Sequence, residues 1–327
     1  MLDQVVGHEP AVRLLRSHLT SPKPSYILHG PSGVGKRFTA ASFFAELTCT
    51  GTKKAGCDCK PCHQTNAGTH PDLRLLTPDG QSYGIGQIQE LTDDAKNYPS
   101  NAPYKMLVFD DAGVLTPNAA NSLLKILEEA PPRTVFFFVL EDDSELISTI
   151  QSRSVAVKFS TLPHEAIVAD LSRFSADNEK VQLCANLSAG SLSTAHGYLR
   201  GGDFGHRDEA LNFLSEFPRK PYHQIISAIN KVEKEKNTTT LFYLLRFLFA
   251  DMLHISMGHE KRVANFDKVE TLKRCREKLG DQVVFGVDEL NKLHQRIPFI
   301  KATFPMHLKA SLMKIRKGVR ADHTPNV

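Results

Sequence analysis

Seven consecutive residues, Gly30-Pro31-Ser32-Gly33-Val34-Gly35-Lys36, have the types and spacing to hold a polyphosphate. Glycines let backbone N–H groups turn inward toward an anion, a following helix adds its positive end, and Lys36 can reach the outer phosphates. The stretch Ser25–His29 before the loop reads as a strand, and the residues after it have helical period, which is the setting such a loop requires. In a working loop the next residue is Ser or Thr, whose hydroxyl ligates Mg²⁺. Here it is Arg37. A guanidinium cannot ligate a cation, although it can contact phosphate directly. Thr39, two residues on, falls on another side of the helix and is a poor substitute. Asp110-Asp111 closes the apolar run Met106–Phe109 and supplies the acidic pair of a nucleotide site. One carboxylate would hold the metal through water and the other would orient the attacking water. The loop as written can bind ATP or ADP, while Mg²⁺ lacks an anchor.

A second group of residues points to a metal. Cys49, Cys57, Cys59 and Cys62 fall within 14 residues, out of six cysteines in the chain. Four thiolates so close together in a reducing compartment read as a structural Zn²⁺ site rather than a disulfide framework. Only one residue separates Cys57 from Cys59, which strains a common tetrahedral chelate. Two arrangements are open: the loop adapts, or His63 replaces one thiolate. Cys184 and Cys275 sit at helix-period positions and read as ordinary buried small residues. The 14 histidines are scattered, with no His-Glu-x-x-His and no Ser/His/Asp set, so hydrolase chemistry of those kinds has no support.

These groups need elements to position them. Ser25–His29, Arg74–Thr77, Lys105–Phe109, Thr134–Leu140 and Val155–Phe159 read as strands. Several are apolar without alternation, as strands covered on both faces are, which predicts a parallel sheet. Helices are expected over about 35–48, 85–98, 117–129 and 143–150. Thr116 can cap the third of these, Pro117 fits its first position, and Pro131-Pro132 stop it. Strand and helix alternating in this way give a doubly wound α/β domain. Residues 163–200 show helical segments around the small-residue turn Ser188-Ala189-Gly190-Ser191, and Arg200–Gly205 reads as a linker. From about 207 onward the chain reads as all-α, with Leu241–Leu253 the most apolar run. The Phe-rich stretch Phe242–Phe249 reads as packing rather than a base-stacking platform.

With 327 residues, two or three domains are expected, and 41% hydrophobic with 23% charged residues suits a globular chain. No apolar run approaches the roughly 20 residues needed to cross a bilayer. Met1-Leu2-Asp3-Gln4 carries no export signal, so a cytoplasmic location is expected. Forty basic against 36 acidic residues give a net charge of +4, which permits nucleic-acid contact without demanding it. Lys309, Lys314, Arg316, Lys317 and Arg320 gather near the end, as a solvated helix face or a phosphate-contacting patch. Glu128-Glu129, at a helix end, reads as solvated or interfacial rather than catalytic.

Taken in order, Gln4-Val5-Val6-Gly7, Gly30–Lys36, the cysteine cluster, Ala67-Gly68-Thr69-His70-Pro71-Asp72, Asn118–Glu129 and Ser152-Arg153 resemble the motifs of bacterial DNA polymerase III clamp-loader subunits. The resemblance implies an AAA+ P-loop domain with a parallel sheet over 1–160, a small helical lid over 161–204, and a C-terminal all-α collar domain over 205–327. Through the collar, five subunits form a ring. The Ala67–Asp72 segment resembles the delta-prime members more than the ATP-hydrolysing motor members. Delta-prime members act as stators and lend an arginine to a neighbour's ATP site, which the resemblance assigns to Arg153 in a Ser-Arg-Ser variant of Ser-Arg-Cys. Such a finger is worth about 10³–10⁵ in rate in other nucleotidases. Members carry a comparable four-cysteine module, with two residues between the second and third ligands.

Several departures from the motor pattern point the same way. Besides Arg37, Asp111 replaces a Glu and leaves its carboxylate about one methylene short. Leu140-Glu141 stands where motor members carry γ-phosphate-sensing Thr, and Ser193 stands where they place a lid arginine. Weak or absent ATPase activity is therefore expected. The implied partners are gamma/tau and delta subunits in a pentameric ring, the sliding clamp, and primer-template DNA through the assembly, with no membrane. Two other readings stay open: an ATP-hydrolysing gamma/tau-like motor subunit, and a free-standing nucleic-acid-binding zinc protein.

Overall fold

The computed structural model describes residues 1–318 except 53–54, 81, 96, 130–132, 143–145, 202–203, 235–237, 298–299 and 301–302. The predicted stop Pro131-Pro132, part of the 143–150 helix, part of the 200–205 linker and Arg320 lie outside the described residues. By contact, the chain divides into two units. Unit 1 holds Met1–Ala176 with Ser188–His196, and unit 2 holds Asp177–Leu187 with the residues from Gly197 on. The segment 161–204, expected as a lid, is mostly helical and contributes residues to both units.

Unit 1 runs α1 (Glu9–Ser17), β1 (Ser25–His29), α2 (Lys36–Thr48), α3 (Lys60–Asn66), β2 (Leu73–Leu76), α4 (Ile85–Ala95), β3 (Lys105–Phe109), α5 (Pro117–Glu128), β4 (Thr134–Leu140), α6 (Ser148–Gln151), β5 (Val155–Lys158) and α7 (His164–Leu171). The five strands form one sheet in the order β2-β3-β4-β1-β5, every pair parallel. Both faces are covered, which is why β3 and β4 are buried at every residue and apolar nearly throughout. Because side chains alternate along a strand, the sheet feeds two cores. Tyr26, Leu28, Val108, Phe137 and Val139 meet Leu15 of α1 and Phe43 and Phe44 of α2. Ile27, Leu107, Phe109, Phe136 and Phe138 meet Ile88 of α4 and Ala119, Leu123 and Leu127 of α5. Thr116 Oγ1 accepts the Ala119 N–H at 3.3 Å, so α5 starts as predicted, with Pro117 in its first position.

The expected strands are all present, β2 one residue earlier than read and β5 one residue shorter. Two helices were not anticipated, α1 and α3. α3 is only seven residues and largely polar, so it carries no apolar periodicity to read. Of the 143–150 helix, the described part is the four-residue α6.

Unit 2 holds α8 (Asn178–Leu187), the later part of α9 (Leu192–Gly201), α10 (Gly205–Glu216), α11 (Tyr222–Lys234), α12 (Thr238–Ser256), α13 (Val269–Leu279), α14 (Gln282–Arg296) and α15 (Phe304–Lys317). Its core is built on α12, whose Phe242, Leu245, Leu248, Phe249 and Met252 pack with Leu214, Leu272, Leu290, Leu308 and Leu312. Phe242 and Phe249 of the Phe-rich stretch are thus core residues, while Phe247 is only half-buried. Gly286 lets α14 approach α12, since a Cβ there would lie 2.3 Å from Phe249 Cε1. Among the described residues, no helix is long and apolar enough to cross a membrane.

Candidate functional site

In a parallel sheet the strand C-termini share one edge, and that edge is where open α/β sheets bind ligands. The loop 30–35 leaves β1 there, Asp110-Asp111 leaves β3, and Glu141 follows β4. The Gly30 N–H donates to the Leu140 and Glu141 carbonyls at 3.3 and 3.0 Å, tying the loop to the end of β4. Gly30 is required here. Its φ is 141°, and a Cβ would lie 2.2 Å from the Phe159 carbonyl oxygen. Gly33, at φ 73°, faces Ser191, whose Oγ would be 2.1 Å from an added Cβ.

Lys36 is 7% exposed, and its ammonium donates to the carbonyls of Gly30 and, at 2.6 Å, Pro31. Burial lowers its pKa, opposed by Glu141, Asp110 and Asp111. Other loop carbonyls have donors from outside the loop. The Ser193 N–H reaches Gly33 O at 2.9 Å, and His8 Nε2 lies 3.0 Å from Val34 O. Burial holds His8 below its ordinary pKa, against the raising effect of the Val34 carbonyl. Thr39 Oγ1 donates to Gly35 O at 2.9 Å, so this hydroxyl is engaged within α2.

Arg37 Nη1 meets Asp110 Oδ2 at 3.0 Å. The residue in the hydroxyl position and the first carboxylate of the acidic pair are therefore bonded to each other. Asp111 adopts the left-handed conformation, φ 53°, which Asp tolerates better than most residues. Tyr83 is fully buried, and its hydroxyl donates to the carbonyls of Leu76 (2.7 Å) and Asp110, joining the ends of β2 and β3. Burial pushes its phenol pKa up. Beside Arg37 lies a groove of about 840 Å³ lined in part by Phe38, Thr69, His70 and Arg74. The Ala67–Asp72 motif forms one wall of it, and much of that motif is structural. The Asp72 carboxylate accepts the N–H groups of Ser100, Asn101 and Ala102 at 2.6, 2.7 and 2.9 Å, and His70 Nδ1 accepts the Asp72 N–H at 3.1 Å.

Arg153 lies at the opposite edge of the sheet. It follows α6 and precedes β5, and the adjacent Ser154 Oγ is 2.7 Å from Ser25 Oγ at the start of β1. β1 and β5 pair from Tyr26↔Val155 to His29↔Lys158, so Arg153 and the loop are separated by the length of the strands, about 15 Å at roughly 3.3 Å per residue. Its guanidinium donates to Glu128 Oε1 at 2.8 Å, Thr149 O at 3.2 Å and Ser152 Oγ at 3.4 Å, with the side chain 41% exposed.

The four cysteines converge. Cys49 ends α2, Cys59 caps α3, Cys62 lies in its first turn, and all four Sγ atoms fall within 4.8 Å of one another. Tetrahedral zinc with bonds of about 2.3 Å needs sulfurs about 3.8 Å apart. Cys49 Sγ is 3.6 Å from Cys57 Sγ and 3.8 Å from Cys59 Sγ. The single-residue spacing is thus accommodated by the loop. The Gly51 N–H points at Cys49 Sγ at 3.3 Å, a contact that supports a thiolate ligand. This donor set fits a metal ion, and His63 is not among the side chains gathered.

Sequence reasoning did not find the Arg37–Asp110 and Arg153–Glu128 pairs, the contact of His8 with the loop, or the Tyr83 bridge between the ends of β2 and β3. The charges were visible, but their pairing depends on strand order.

Fold and site together define an α/β protein with a phosphate-loop motif at the edge of a five-stranded parallel sheet and a helical second unit. Residues 7–163 match the family model described as "DNA polymerase III, delta subunit". The chain is 25% identical over 284 residues to DNA polymerase III subunit delta-prime of Bacillus subtilis, covering 84% of this chain and 86% of that one. It is 36% identical over 135 residues to the delta-prime subunit of Pseudomonas aeruginosa, covering 40% and 41%. It is 27% identical over 332 residues to DNA polymerase III subunit tau of Bacillus subtilis, covering 90% of this chain and 58% of that one. The chain is thus similar to delta-prime and tau subunits of DNA polymerase III, a likeness that supports a clamp-loader subunit.

Proposed function

We propose that this chain is a delta-prime-like stator: it completes the ATP site of a neighbouring motor subunit with Arg153, while its own loop turns over ATP weakly or not at all. The observation that carries the reading is the placement of Arg153. It stands at the strand N-terminal edge, half-exposed, about 15 Å from its own loop, so its guanidinium can serve a phosphate only in another molecule. A guanidinium so placed stabilises charge on the transferred phosphoryl group.

The motor reading has the tau similarity in its favour. Against it stand Arg37 in the hydroxyl position and Asp110 already bonded to that guanidinium. On the stator reading, Gly30, Pro31, Gly33, Val34, Gly35, Lys36 and Arg37 would cradle ADP or ATP phosphates, with Asp110 and Asp111 facing them across the sheet edge. Zinc is the metal we assign to Cys49, Cys57, Cys59 and Cys62, on the sulfur spacing and the all-thiolate donor set. The working partners are gamma/tau and delta subunits in a pentameric ring in the cytoplasm, acting on the sliding clamp and primer-template DNA. Residues 161–204 would act as the lid and 205–327 as the collar.

The test is a reconstitution of this chain with motor and delta subunits, comparing wild type with Arg153→Ala. The variant is expected to assemble normally and to lower the ATPase rate of the adjoining site by about 10³-fold or more. Because that guanidinium pairs only on the surface, folding should be unaffected. An unchanged rate, or appreciable turnover by the isolated chain with Mg²⁺, would overturn the reading.

A further inference from the structure

We infer that the loop of this chain binds a nucleoside diphosphate without a divalent cation, because Arg37 occupies the place of Mg²⁺. The inference concerns the loop alone and does not rest on the role of Arg153.

In a working P-loop site, two protein groups hold the metal: the hydroxyl after the loop lysine and the carboxylate at the end of the neighbouring acidic strand. In this chain those positions are a cation and an anion joined directly, Arg37 Nη1 to Asp110 Oδ2 at 3.0 Å. The nearest hydroxyl on the same helix, Thr39 Oγ1, is already donated to Gly35 O at 2.9 Å. A Mg²⁺ ion would have to take Asp110 from its partner and remain beside a guanidinium that cannot lose its charge. The donor set does not fit Mg²⁺.

It does fit an anion. Gly33 and Gly35 have φ of 73° and 102°, conformations that let the loop turn N–H groups toward phosphate at the start of α2, while the Gly30 N–H ties the loop to the end of β4. Lys36 lies in the same loop, its ammonium resting on the Gly30 and Pro31 carbonyls, contacts it can exchange for phosphate oxygens. Arg37 is 55% exposed, and among the described residues only Nη1 has a protein partner, so the rest of its donor fork is available. Guanidinium binds phosphate bidentately through such a fork and stays charged at every accessible pH. With Lys36 and Arg37 both present, the negative charge of a diphosphate is offset by the protein itself. Asp110 then orients the guanidinium rather than a metal.

The experiment is calorimetric titration of the full chain with ADP, once with excess Mg²⁺ and once with EDTA. Wild type is expected to bind with affinities that agree within about twofold, and Lys36→Ala should abolish binding in both, which places ADP in the loop. Arg37→Thr restores a hydroxyl and removes the fixed cation. It should lose about tenfold or more in EDTA and recover with Mg²⁺. Wild-type binding that collapses in EDTA would overturn the inference, as would no ADP binding under either condition, or an Arg37→Thr variant indifferent to Mg²⁺ and as tight as wild type. The stator reading is tested separately by the Arg153→Ala reconstitution, so either proposal can fail alone.

Discussion

Arg153 and Glu128 meet at 2.8 Å with side chains 41% and 52% exposed, a geometry that contributes little to stability, about 0–1 kcal/mol. On the proposed stator role, its use would lie in orientation. A freely rotating arginine would have to be ordered on entering a neighbour's site, and Glu128, Thr149 O and Ser152 Oγ would order it beforehand. Glu128 is thus proposed as a positioning residue. Glu128→Gln keeps an acceptor but removes the charge. It should leave the urea midpoint nearly unchanged and lower kcat of the reconstituted ATPase several-fold with little change in KM, since the finger acts on the transition state. A rate equal to wild type would show that the pair is only a surface contact. Arg153 was singled out in the sequence by the resemblance of the Ser152-Arg153 motif. Glu128, 25 residues earlier, read only as a helix-end carboxylate. Likewise Arg37 could be recognised as a misfit at its position, but its partner Asp110, 73 residues away, follows only once the C-terminal ends of β1 and β3 are known to share one edge.

At the scale of elements, the sheet was readable because doubly covered strands must be apolar at every position, as in Val135–Val139. Some helices were readable too, α5 above all through its cap, whereas α1 was not read although Ala11 and Leu15 give it a buried apolar face. α3 was not, because what organises it is the cysteine cluster rather than an apolar stripe. Cys59 caps it and Cys62 lies in its first turn, so a metal bound there would fix both its start and its attachment to Cys49 at the end of α2. Metal binding and local folding are then one equilibrium. The purified chain should carry about one zinc, retained in His63→Ala and lost or greatly weakened in Cys59→Ser. Stripping the metal with a chelator should lower the thermal midpoint and increase proteolysis within about residues 49–66. Full zinc content in Cys59→Ser with loss in His63→Ala would mean that the ligand set is wrong, even though the four sulfurs lie together.

For the molecule as a whole, the question the sequence left open was whether its positive charge is a nucleic-acid surface or an ordinary solvated face. A net charge of +4 on 327 residues is a weak field. The basic residues that gather on α15 are also largely occupied. Lys309 pairs with Glu233 at 2.7 Å, Lys314 with Glu289 at 2.9 Å, and the Arg316 guanidinium lies 4.3 Å above the Tyr222 ring. Each such contact must be given up before the cation can neutralise a phosphate, so α15 offers less to DNA than its composition implies. A protein that neutralises Z phosphates shows a slope near −0.9Z in log K against log salt. The isolated chain should therefore bind a labelled primer-template weakly, with a slope shallower than about −3, whereas the reconstituted assembly should bind more tightly and more steeply. Fluorescence anisotropy across a range of salt concentrations measures both. Tight, strongly salt-dependent binding by the monomer would instead favour a chain that contacts nucleic acid by itself, and Lys309→Glu with Lys314→Glu would show whether α15 carries that contact.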